Sequence, residues 1–186
     1  AFLSASTVLS ALSACARGPT YDLVIRHGTV YDGSGQPPVK ADIGVLGDSI
    51  ATIGDLSGAR ARRELDATGL AVAPGFINML SWANEALIVD GRSESDIRQG
   101  VTLEVFGEGN SMGPWNDSMK AENRSLQGDI KYDIQWNTLG EFLDYLVSRG
   151  ITPNVASFVG ATTVRKYVLG HASRAPDSTE LAQMQD

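Results

Sequence analysis

Apolar and polar positions alternate in short runs over the first third of the chain, then give way from Leu70 to longer apolar stretches separated by amphipathic ones. In "YDLVIRHGTVYDGSG", two β-type runs are separated by Gly28 and closed by the turn-forming cluster Asp32 to Gly35, which predicts a hairpin. Runs at Ala41 to Leu46, Ser49 to Ile53 and Arg63 to Asp66 extend it to a small β module, with Gly47-Asp48 and the Gly54 to Gly58 region as turns. Beyond it the pattern predicts an apolar strand from Leu70 through Ile77, a helical stretch over Ser93 to Gln99, and the strand "VTLEVFG" after Gly100. Thr138 to Arg149 reads as a helix with Leu139, Phe142, Leu143, Leu146 and Val147 on one face, a Thr138/Glu141 capping box and Gly150 past its end. A strand "NVASFVG" and helical runs near Thr163 to Leu169 and Ser178 to Met184 follow, so the order is βαβαβα.

Near-continuous apolar strands separated by helices imply an α/β fold with parallel strands buried on both faces, either an open doubly wound sheet or a (β/α)8 barrel. Between Gly107 and Asn137 lies a polar stretch carrying Met112, Trp115 and Met119, longer than a connection usually runs. It hangs from a strand's C-terminal end, the edge where such folds bind ligands, and is a candidate lid or pocket wall.

The 186 residues carry 15 basic and 22 acidic side chains with no dense Lys/Arg cluster, which argues against a nucleic-acid ligand and for a small-molecule one. The opening "AFLSASTVLSALSACARG" is uncharged until Arg17 and reads as the apolar region of an export signal. Its Leu12-Ser13-Ala14-Cys15 resembles a bacterial lipobox, implying cleavage before Cys15, lipidation of that residue, and an exported protein anchored to a membrane on the periplasmic side or at the cell surface. With Cys15, the single cysteine, used as an anchor, no disulfide is expected in the body.

"YDLVIRHGTVYDGSGQPPVKADIGVLGDSIATIGDL" followed by "ELDATGLAVAPGFIN" resembles the start of the amidohydrolase superfamily, in particular its N-acyl-D-amino-acid deacylase (D-aminoacylase) branch. The likeness continues through "IRQGVTLEVFGEG", "LGEFLDYLVSRG" and "NVASFVGATTVR". It implies a β-sandwich built from both ends of a chain, flanking a (β/α)8 barrel with one or two metals, usually zinc, at its C-terminal mouth. On that plan residues 1–20 are signal and linker, 21–69 the N-terminal part of the sandwich, and 70–186 the first units of the barrel. A whole barrel takes about 250 residues, so less than half of one is expected here, inactive by itself. The implied reaction is hydrolysis of a non-peptide C–N bond in an N-acyl amino acid. A metal would polarise the carbonyl and lower the pKa of a bound water.

The site positions depart from the family pattern. After Pro74-Gly75-Phe76-Ile77 the usual Asp is Asn78, and Leu80 and Trp82 stand where two histidines normally bind metal. Where the branch carries a ligand Cys this chain has Gly109, preceded by Glu108, and its Gly-His is Gly160-Ala161. His27 and His171, the two histidines present, fall in the β module and past a helix, away from the expected mouth. Glu104 and Glu108 share strand parity, so both are expected to point into the barrel. Glu108 is the candidate metal ligand, and the deeper Glu104 a pocket residue paired with an Arg or Lys. One ion is expected, zinc or another divalent metal such as manganese, with its other ligands on later strands. Leu80 and Trp82 would make an apolar pocket wall. Their presence leaves two alternatives open: a non-catalytic binding protein on this scaffold, or a hydrolase of cyclic amides or small peptides.

Overall fold

A computed structural model describes residues 20–186, so the expected export signal and the lipidation expected at Cys15 lie outside the described residues. The chain divides into two compact units, one reaching to Pro74 and one spanning Gly75–Asp186. Its architecture is mixed α/β, and no helix among the described residues is long and apolar enough to cross a membrane.

The first unit is a five-stranded sheet in which β1 (Thr20–Val30) lies between the antiparallel β2 (Val39–Leu46) and the parallel β4 (Arg60–Asp66). Strand β3 (Ser49–Gly54) extends the sheet beyond β2, and the short β5 (Ala71–Val72) pairs with the end of β1. The expected hairpin around Gly28 is not formed. Residues 20–30 are one strand with a bulge between Ile25 and Gly28, where His27 takes φ 59° and absorbs the extra residue without ending the pairing. The β4 partner, distant in sequence, closes on β1 in parallel and could not be read from local alternation. Tyr21, Val24 and Leu56 form the small core. Gly44 admits the Tyr21 ring, which a Cβ there would overlap.

In the second unit β6 (Phe76–Asn78), β7 (Val101–Phe106) and β8 (Asn154–Ser157) form a parallel sheet in that order. The expected strand Leu70 to Ile77 is split between the units. Pro74 lacks an amide hydrogen and restricts Ala73, so the ladder is interrupted between β5 and β6. The connections are α1 (Asn84–Val89) and α2 (Glu94–Ile97) before β7, then α3 (Asp117–Leu126) and α4 (Leu139–Arg149) before β8, with α5 (Ala161–Leu169) and α6 (Ser178–Gln185) after it. Helix α4 has its capping box at Thr138 and Glu141 and ends at Gly150 in the left-handed region. Phe142 and Leu146 are fully buried, but Val147 is exposed because the buried arc is narrower than the run of apolar residues.

The excursion between β7 and α4 holds the main core. Met112, Trp115, Met119, Ile134 and Trp136 pack with Leu87 and Ile88 of α1, Phe106 of β7, and Phe142 and Leu146 of α4. Trp136 is the centre of an aromatic group: its ring stands 5.0 Å from Phe142, 5.2 Å from Tyr145 and 6.1 Å from both Trp115 and Tyr132. Its Nε1 donates to the Met112 carbonyl at 2.6 Å. Helix α3 is capped by Asn116, whose Oδ1 accepts from the Met119 amide at 3.0 Å.

Candidate functional site

Strands β6, β7 and β8 are parallel, so Met79 to Trp82, Gly107 to Ser111, and Phe158 to Gly160 all leave the same edge. This C-terminal edge is where parallel α/β sheets bind ligands. Strand β6 stops at Asn78, whose Oδ1 accepts from the Leu80 amide at 3.3 Å and whose Nδ2 donates to Asp96 Oδ1 at 3.3 Å. Leu80 and Trp82 therefore lie in the turn beyond the strand, 53% and 68% exposed.

The loops after β7 and β8 interlock. Gly107 has φ 89° and passes so close to the Phe158 carbonyl that no side chain fits. The Ser111 amide donates to Thr163 Oγ1 at 2.8 Å, and Ser111 Oγ accepts from the Gly160 amide at 3.0 Å while donating to the Gly113 carbonyl at 2.5 Å. Ser111 and Thr163 are both buried, so these bonds define a dry hinge between the two loops. Ala161 opens α5 and is exposed, as is Gly109.

Around this edge runs a cleft of about 210 Å³ lined by Trp82, Asn84, Asn110, Ser111, Met112, Trp115, Met119, Asn123, Thr163 and Lys166. The excursion after β7 supplies most of that wall. Carboxamides contribute much of the polar lining, and the one charged liner, Lys166, is held 2.6 Å from Glu122 Oε1 on α3. His171 Nε2 meets the other oxygen of Glu122 at 3.0 Å. Lys166 and then His171 hold the Glu122 carboxyl below its ordinary range.

Trp82 is on this cleft; Leu80 and Glu104 are not among its lining residues. For Glu104 the reason is the face of the sheet on which it stands. Register pairs Asn78 with Glu104 and Glu104 with Val155, and Phe106, two residues on, belongs to the core beneath the helices, against which Val155 also packs. Glu104 is thus on the helix-covered face, while Leu103 and Val105 take the other, the reverse of the expected parity. Its partners are Ser81 Oγ at 2.6 Å and Ser93 Oγ at 2.7 Å, not an Arg or Lys. The parity argument does not reach Glu108, because β7 ends at Phe106 and Gly107 turns the backbone at positive φ. Glu108 is exposed at the edge, its carbonyl accepting from the Asn110 amide at 2.9 Å.

Among the described residues no cluster of three or more His, Cys, Asp or Glu could hold a metal ion. The described groups at the edge therefore do not form a metal centre by themselves. His27 lies on the first unit's sheet with its ring 3.3 Å from Asp66 Oδ1. A wider open cleft there, about 780 Å³, has Arg26, Asp42 and Glu64 in its lining. Those charges are spent on one another and on the backbone: Arg26 donates to the Leu56 and Ala59 carbonyls and to Glu64, and Asp42 accepts from the His27 and Leu56 amides.

No family model matches the sequence. Among curated proteins, a D-aminoacylase of Alcaligenes xylosoxydans xylosoxydans is 38% identical over 170 residues, covering 89% of this chain and 34% of that protein. Among solved structures, a D-aminoacylase studied for its binuclear metal centre superposes with TM-score 0.76 at 32% identity, over 89% of this chain and 35% of its own. An N-acyl-D-glutamate deacylase of Bordetella bronchiseptica, solved with zinc and a phosphonate inhibitor, gives TM-score 0.74 at 30% identity over the same shares. Its homologues and structural neighbours are D-aminoacylases and N-acyl-D-glutamate deacylases of the amidohydrolase family. The chain spans about a third of the length of the curated relatives it matches.

Proposed function

We propose that the protein hydrolyses the amide bond of N-acyl-D-amino acids, and that the cleft at the C-terminal edge of β6 and β7 receives the acyl group. The observation that carries this is the cleft's chemistry in a chain that matches D-aminoacylases over 89% of its length. Trp82, Trp115, Met112 and Met119 offer apolar surface, and Asn84, Asn110 and Asn123 offer carboxamides. Lys166 is neutralised by Glu122, so the cleft favours an uncharged part of a substrate over a carboxylate. The first unit is then the N-terminal part of a β-sandwich, and the second the opening βα units of a (β/α)8 barrel. The test is turnover of N-acetyl-D-amino acids by the full-length protein, with the L-enantiomers beside them. Absence of turnover on every D-substrate overturns the reading.

In this reading the protein takes at most one divalent ion, zinc or another, to which Glu108 supplies this chain's ligand. Leu80 and Trp82 have no donor for a second. Metal analysis of the full-length protein decides it: about one ion falling to none in Glu108→Ala supports it, and two tightly bound ions overturn it. No ion, with a cleft that still binds N-acyl amino acids, would favour the non-catalytic reading that Leu80 and Trp82 motivate. The proposal also places the protein outside the cytoplasm, anchored through lipid on Cys15. Palmitate labelling lost in Cys15→Ser supports that, and labelling retained refutes it.

A further inference from the structure

A carboxylate removed from water is costly unless its charge is compensated, yet Glu104 is fully buried and is met by two serine hydroxyls rather than a cation. Both serines are unusual. Ser93 has φ 45°, a left-handed conformation that a side-chain-bearing residue holds only when its surroundings impose it. Ser81 is held at three points: its amide donates to the Val105 carbonyl at 2.9 Å, its hydroxyl donates to Glu104, and its Oγ accepts from the Ala83 amide at 3.2 Å. The Ala83 carbonyl in turn receives the Leu87 amide at 2.9 Å, at the start of α1. Trp82 is thus flanked on both sides by anchored peptides, although the residue itself is 68% exposed and lines the cleft.

We propose that Glu104 is a positioning residue: acting through Ser81 from beneath the sheet, it sets where Trp82 stands and so sets the width of the acyl subsite. The proposal rests on the deacylase reading for its substrate, but the link from Glu104 to Trp82 does not. Glu104→Gln keeps the shape and one acceptor while removing the charge that holds both hydroxyls. Ser81→Ala breaks the link at its other end with a smaller change.

The experiment compares the full-length wild type with Trp82→Ala, Ser81→Ala, Glu104→Gln and the Trp82→Ala/Glu104→Gln double variant, using N-acyl-D-amino acids with short and long acyl chains. Trp82→Ala and Glu104→Gln should each shift the ratio of kcat/KM between long and short chains in the same direction, by about tenfold. In the Trp82→Ala background Glu104→Gln should change that ratio by less than about twofold. Glu104→Gln lowering both substrates equally, or shifting the ratio undiminished in that background, overturns the proposal. Should Glu104→Gln fail to fold, Ser81→Ala, alone and in the Trp82→Ala background, makes the same comparison. If no variant turns over any N-acyl-D-amino acid, the deacylase reading fails by itself. The link to Trp82 is then decided by that residue's fluorescence anisotropy, taken by difference against Trp82→Phe: a fall in Ser81→Ala or Glu104→Gln supports it, and no change refutes it.

Discussion

Trp136 ties the excursion after β7 to α4, and replacing it with Phe should release that excursion. The indole N–H is lost, and with it the bond to the Met112 carbonyl at 2.6 Å, in a site where water does not substitute. Leaving a buried carbonyl without its donor costs about 1–3 kcal/mol. The smaller ring also loosens contact with Tyr132, stacked at 7°, and with Trp115, adding about 1 kcal/mol of lost packing. A total of about 2–4 kcal/mol, confined to this segment, raises its open population by roughly 30- to 1,000-fold. Native-state hydrogen exchange of the amides in α3 and the last turns of α4 measures this directly. Exchange there should accelerate by that factor while the amides of β1 and β2 are unaffected. Acceleration below about fivefold would show that Met112 and Trp115 hold the excursion without the indole.

Thr163→Val, which keeps shape but removes the hydroxyl, should orphan the buried Ser111 amide and weaken the β7–β8 loop hinge by about 1–3 kcal/mol, read as faster exchange at Ser111. Thr138→Ala should weaken α4 by about 1 kcal/mol while Thr138→Ser stays within a few tenths, by the same measurement on the α4 amides. The bond of Glu122 to Lys166, and secondarily to His171, lowers the folded-state pKa of Glu122, so its contribution is complete above the ordinary carboxylate value and lost as pH falls through the lowered one. Acid titration of contact between α3 and α5, followed by exchange, should show that loss in wild type and not in Glu122→Gln.

The sequence by itself determined those elements whose signals lie within one turn or one strand. Helix α4 is one, because Thr138, Glu141, the apolar arc of Phe142 and Leu146, and Gly150 specify its start, buried side and end locally. The kinship with D-aminoacylases was also legible, since it rests on residue identity along the chain. Tertiary structure decided what depends on partners far away in sequence. Alternation around Gly28 cannot distinguish a hairpin from a bulged strand; the parallel β4, some 40 residues on, holds residues 20–30 in one line. Period-two alternation shows that Glu104 and Phe106 share a face but not which face the helices cover, and the packing of Phe106 against Phe142 and Trp136 is what places Glu104 beneath the sheet. Met112, Trp115 and Met119 follow no single period and read as loop residues; they become core because α1, α4 and β7 leave an apolar space that only this excursion fills.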